Sequence, residues 1–181
     1  MIKIPEKEGR LSAAKAAHIE AVIAFVKRKT EGYRRDLFAN ISRVMLVSGT
    51  FEDMSARDDW SWLSDFILAD VKTLKQMIGR PELLQFDEFK RMYSDYFSAG
   101  SDKYVDASTK YNAYMFIENL GVTICPYCDE EYLDVVENGN GGKLRTLEID
   151  HFFPKGKYPA LAMCFYNLVP SWQICICMKR E

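Results

Sequence analysis

The chain has 181 residues, 48% of them apolar, enough for one core of ordinary size and too many for general disorder. Its net charge of −2 excludes a DNA binder that relies on overall charge, so nucleic-acid contact would need a local basic patch or a partner subunit. No apolar run approaches the ~18 residues that cross a membrane, and the charged start Met1-Ile2-Lys3-Ile4-Pro5-Glu6-Lys7-Glu8 lacks the apolar stretch of a signal peptide, so a soluble cytoplasmic protein is expected.

Residues 1–120 read as a helical region. Ser12 is placed to cap a first helix running to Lys29, with Ala14, Ala17, Ala21, Val22, Phe25 and Val26 on its inner side. A second helix follows Gly32 and presents Tyr33, Leu37, Phe38, Ile41, Val44 and Met45 until Ser48-Gly49-Thr50 interrupts it. The spacing of Trp62, Leu63, Phe66, Ile67, Val71, Leu74 and Ile78 predicts a third, from near Ser55 to a stop at Gly79. Pro81 fits the first turn of a fourth, which ends before Gly100. A fifth is predicted from Asp102 to Leu120, with Gly121 as its C-cap. The many aromatic residues here are expected to fill a helical core, and His18, on a helix among alanines, to be structural or exposed.

At Gly121 the pattern changes, so residues 121–181 read as a second, smaller module. Tyr132–Val136 and Leu144–Ile149 look like two strands around the turn Asn138-Gly139-Asn140-Gly141-Gly142. An irregular segment broken by Pro154, Gly156 and Pro159 follows. A short strand, Asn167 to Val169, and a final helix from about Ser171 complete the chain.

The chemistry concentrates in this module. Five cysteines, an odd number, argue against a disulfide framework, and four of them flank the Asp150-His151 pair. Cys125-Pro126-Tyr127-Cys128 fits half of a zinc knuckle, because thiolates three apart on a tight turn can reach one ion. No thioredoxin-like βαβ pattern surrounds it, which disfavours a redox role. His151 follows a carboxylate at the end of an apolar run and precedes a Pro-Lys turn, a position that suits a base aimed into a cleft. Neighbours on a strand point to opposite sides, so Asp150 and His151 face one target only if the backbone bends, as Pro154 suggests it does.

Taken with Asn167-Leu168-Val169-Pro170-Ser171, the run Leu147-Glu148-Ile149-Asp150-His151-Phe152-Phe153-Pro154-Lys155 resembles the signature of the HNH endonuclease superfamily, in its zinc-knuckle subgroup. The resemblance covers about 60 residues, from Ile124 to the end, and says nothing of the helical region. It implies an α+β, mostly α protein: a helical N-terminal region followed by a small ββα-metal module with a zinc knuckle. It further implies hydrolysis of DNA with Mg²⁺ or Mn²⁺, Asp150 as ligand of that ion, His151 as general base, and Asn167 as the residue tying the loop to the strand. Structural Zn²⁺ would be held by Cys125, Cys128 and Cys175.

Two positions depart from the family pattern. Trp172 stands where another zinc cysteine belongs, which makes Cys177 the nearest candidate for a fourth ligand, although residues two apart on a helix diverge by ~200°; Cys164 is the other candidate, with packing in the core the expectation for it. Ile176 stands where a further ligand of the catalytic ion belongs, leaving Asp150, water and DNA phosphate to hold it, with Arg180 one turn beyond to meet a phosphate. The resemblance therefore also accommodates a degenerate copy that binds DNA or a protein partner, for example an ATPase subunit held by the helical region. Family members of this look often serve in defence against foreign DNA.

Overall fold

The computed structural model describes residues 9–49, 60–99, 103–133, 135–137, 143–145 and 147–178. These residues are mostly helical, with two small antiparallel sheets of two strands each. The first helix, α1 (Arg10–Lys27), starts two residues before Ser12, on Gly9 in a left-handed conformation (φ 84°), so Ser12 lies inside the helix and caps nothing. Its buried stripe is Ala14, His18, Ala21, Val22, Phe25 and Val26, with His18 on the inner face and Ala17 at its margin. Helix α2 (Glu31–Val47) is capped by Thr30, whose side chain accepts from the backbone N–H of Tyr33.

The expected third helix is two helices. The first, α3 (Ser61–Ile67), stops, and α4 (Val71–Met77) restarts on Asp70, whose carboxylate accepts from Thr73 N at 2.7 Å. A continuous apolar stripe concealed that break, which an N-capping carboxylate makes favourable. The predicted start near Ser55 lies outside the described residues. Pro81 opens a short 3₁₀ turn, Pro81–Leu84, and α5 (Glu88–Met92) then widens into a π turn over Tyr93–Phe97.

The fifth helix is shorter than expected. Only α6 (Ala113–Leu120) is helical, capped by Asn112, while Asp102 lies outside the described residues. Asp106 explains the shortening. Its carboxylate accepts from Ser108 Oγ (2.6 Å), Thr109 Oγ1 (2.8 Å) and the amide of Thr109, a turn that competes with the helix, and Lys110 then takes a positive φ of 54°. These donors, with Arg28 at 3.0 Å, hold the Asp106 carboxyl at about 2. Gly121 ends α6 at φ 62°, where a side chain would also run into the Arg10 guanidinium.

In the C-terminal part, the run read as one strand from Leu144 to Ile149 divides between two sheets. β1 (Val135–Glu137) pairs with β2 (Lys143–Arg145), and β3 (Leu147–His151) pairs with β4 (Leu168–Trp172). The turn expected at Asn138–Gly142 lies outside the described residues. The last helix, α7 (Gln173–Met178), follows β4 directly.

One continuous core joins the helices to the β3–β4 hairpin. α1 packs on α6, α2 on α3, and α5 on the Pro159–Leu161 turn that follows β3. His18 sits at the junction, fully buried and edge-on to Phe97, Tyr111, Phe116 and Phe165. Its Nε2 must donate to the Met163 carbonyl (2.8 Å), so Nδ1 accepts the Tyr111 hydroxyl proton (2.9 Å). Burial lowers its pKa from 6.5 to about 4. His18 therefore stays neutral in the fold while the unfolded chain takes up a proton below pH 6.5. Stability on the order of 3 kcal/mol, present above pH 6.5, should be lost as pH falls to 4. Urea unfolding across that range should show the loss, and His18→Gln, less stable at neutral pH, should lack this part of it.

Candidate active site and cysteine cluster

β3 and β4 form the frame. Their register runs Leu147↔Trp172, Glu148↔Ser171, Ile149↔Pro170, Asp150↔Val169 and His151↔Leu168, without interruption up to the histidine. The bend expected next to Asp150-His151 comes only after it, at Phe152-Phe153-Pro154. Asn167 closes the frame where the strands part. Fully buried, its Oδ1 accepts from Phe153 N (2.7 Å), and its Nδ2 donates to Phe153 O (3.1 Å) and Leu161 O (2.9 Å). Its own carbonyl accepts from Phe152 N at 2.9 Å. The side chain thus braces the loop 152–166 against the start of β4.

Asp150 and His151 point to different neighbours, as alternation on a strand requires. The Tyr127 hydroxyl donates to Asp150 Oδ2 at 2.7 Å. Burial and this carboxylate raise the tyrosine's pKa well above its usual value, so it remains a donor. His151 Nε2 donates to the Ala162 carbonyl (3.1 Å), which makes Nδ1 its basic nitrogen. The imidazole is only 6% exposed and meets the Tyr93 ring edge-on at 4.5 Å. Both residues nevertheless line one cleft of about 930 Å³, together with Lys90, Tyr93, Glu148, Lys155, Gln173 and Ile176.

Sequence reasoning missed Tyr127 and Tyr93. Tyr127 sits between Cys125 and Cys128, a position that hinted at its reach toward a neighbouring group. Tyr93, on the π turn, had no local signal, because its partners are 56 and 58 residues away: its hydroxyl donates to Ile149 O at 3.2 Å, and its ring meets His151.

For a hard divalent cation the donor set fits in part. Asp150 is a suitable oxygen ligand. Ile176, also in the cleft, offers no donor, and Arg180 lies outside the described residues.

The cysteines divide as follows. Cys125, Cys128 and Cys175 bring their sulfurs within 4.8 Å of one another, close enough to hold one metal ion. The turn carrying Cys125 and Cys128 is closed by Cys125 N→Glu131 O (2.8 Å) and Asp129 N→Cys125 O (2.9 Å), with Asp129 at a positive φ of 58°. Trp172 contributes its backbone N–H, 3.4 Å from Cys125 Sγ, rather than a ligand. Amides of Glu131 and Glu130 lower the Cys128 pKa, while burial and the adjacent sulfurs push Cys175 up to about 12. A bound cation would remove the repulsion between these thiolates, and an all-sulfur set is the chemistry of structural zinc.

Cys177 does not join them. α7 starts at Gln173, so Cys175 and Cys177 fall on different sides of the helix, and Cys177 is exposed on the cleft. Cys164 packs in the core with its Sγ 3.5 Å from Phe66 O, and burial raises its pKa.

No protein-family model, curated protein or solved structure matches the chain.

Elemental analysis of the purified protein should find one zinc per chain, unchanged in Cys177→Ser and lost in Cys128→Ser. Asn167→Ala strips partners from buried main-chain groups of Phe153 and Leu161. It should cost about 3 kcal/mol in chemical denaturation.

Proposed function

We propose that this chain is an HNH-type endonuclease, which hydrolyses DNA phosphodiester bonds on a ββα-metal module held together by zinc. The observation that carries this reading is the arrangement of Asp150 and His151: neighbours at the end of one strand, braced by Asn167, bordering one cleft. With Nε2 committed to Ala162, His151 accepts a proton from water at Nδ1. The water oxygen bonds to phosphorus as the bond from phosphorus to the leaving sugar oxygen breaks, and that oxygen departs with the electron pair. Mg²⁺ or Mn²⁺ held by Asp150 would supply Lewis-acid stabilisation of the phosphate and of the leaving oxygen. Tyr127, by donating to Oδ2, orients the carboxylate that would hold the ion.

A second function is favoured by one observation, the aliphatic Ile176 in the cleft. In it the chain is a degenerate HNH scaffold that binds DNA, or a protein partner such as an ATPase subunit, without cutting. The helical region would carry the protein contact.

Incubating plasmid with the protein and Mg²⁺ or Mn²⁺ separates the two. Cleavage should fall at least ~10²-fold in His151→Ala, the range expected for loss of a general base. Equal cleavage by both proteins would trace the activity to a contaminant and sink the nuclease assignment. DNA binding with no cleavage would support the degenerate scaffold.

A further inference from the structure

A net charge of −2 leaves DNA affinity to local cations. Two lysines line the cleft that holds Asp150 and His151: Lys90 from α5 and Lys155 from the turn after β3. Their surroundings differ. Lys155 Nζ lies 4.0 Å above the centroid of the Tyr93 ring, within the range of a cation–π contact. Tyr93 is itself immobilised. It is 3% exposed, its hydroxyl donates to the Ile149 carbonyl, and its ring makes a T-shaped contact with His151, centroids 4.5 Å apart. One ring therefore contacts both an ammonium and the imidazole, and all three residues line the same cleft. A lysine usually surrenders much of its rotamer freedom when it binds an anion; seating it on a rigid ring reduces what remains to be given up.

We propose that Lys155 binds the non-bridging oxygens of the DNA phosphate presented to His151, and that Tyr93 is the positioning residue for both. This rests on the nuclease reading. It assigns to a side chain of the chain itself part of the charge neutralisation that Ile176 cannot help a metal ion to provide. An ammonium acts here as a point charge and three donors, with no demand for planar geometry.

The test is the salt dependence of binding to a short duplex of random sequence, with no added divalent cation so that nothing is cut. Removing one lysine–phosphate ion pair should flatten the plot of log K against log salt by about 0.9. Lys155→Gln and Lys155→Met should each show that flattening. Methionine keeps an unbranched stem against Tyr93, so agreement between the two isolates the charge from the packing. Lys155→Arg should restore the slope, and Lys75→Gln, on the remote helix α4, should leave it unchanged.

A Lys155→Gln or Lys155→Met slope equal to that of the unaltered chain would overturn the assignment of Lys155 while leaving the nuclease reading standing. Failure of the unaltered chain to bind DNA at all would overturn both. Tyr93→Leu should flatten the slope as Lys155→Gln does, whereas Tyr93→Phe, which keeps the ring, should not. A Tyr93→Leu slope that stays steep would remove the positioning role.

Discussion

The architecture of the cleft depends on a single side chain, Asn167. A two-stranded hairpin whose strands are joined by a long irregular segment has no tight turn to set its register, and its main-chain groups at the mouth of the loop would be buried without partners. The amide supplies what a turn would have supplied. It accepts one main-chain proton and donates two, linking Phe153, Leu161 and β4 with no exposure to water. Asparagine suits this place because its amide carries an acceptor and two donor protons within one small plane. Aspartate would lack the donors, and leucine of similar size would lack both. The consequence for the chemistry is indirect. With the loop braced, Ala162 is held where its carbonyl orients the imidazole of His151.

The helical half is part of this arrangement, not an appendage to it. Its residues and those of the hairpin and its loop share one core, and the buried polar contacts that cross between them include His18 to Met163, Tyr93 to Ile149, and Cys164 to Phe66. Each buries a polar group that would otherwise lose its water without replacement, so each specifies the docking more narrowly than apolar contact alone. The hairpin lines the cleft with Glu148, Ile149, Asp150 and His151, and Lys90 and Tyr93 from α5 and its π turn line it too. A π turn lets consecutive side chains project at an unusual angle, and here Tyr93 and Phe97 both reach inward.

Tyr127 links the cysteine cluster to the cleft. Tyr127 lies between two of the clustered cysteines, and its hydroxyl reaches Asp150. A metal ion that drew the three sulfurs together would also restrain the turn that carries this tyrosine. The aspartate is thus positioned from the side of the cysteine cluster, and the histidine from the helical side by Tyr93. Two adjacent residues on a straight strand, facing opposite ways, are brought to one cleft by supports from different parts of the fold.

Much of this was legible in the order of residues. Helix faces followed from apolar spacing and α6 ended at Gly121, but the sequence reads as one hairpin of Tyr132–Val136 with Leu144–Ile149, and the pairing of Leu147–His151 with Leu168–Trp172 emerged only in the fold. Local competition was harder to read: Asp70 and Asp106 break helices that the apolar pattern continues through, because a short carboxylate offers the backbone a partner at closer range than the next turn of helix. What only the tertiary structure decided are the long-range contacts. Tyr93, Tyr127 and His18 meet their partners across 23 to 145 residues, and no spacing in a linear chain encodes which buried polar groups will face one another. The same holds for the cysteines. Composition and pattern supplied the candidates, but only the point where α7 begins determined that Cys175 turns toward Cys125 and Cys128, while Cys177, two positions on, turns away.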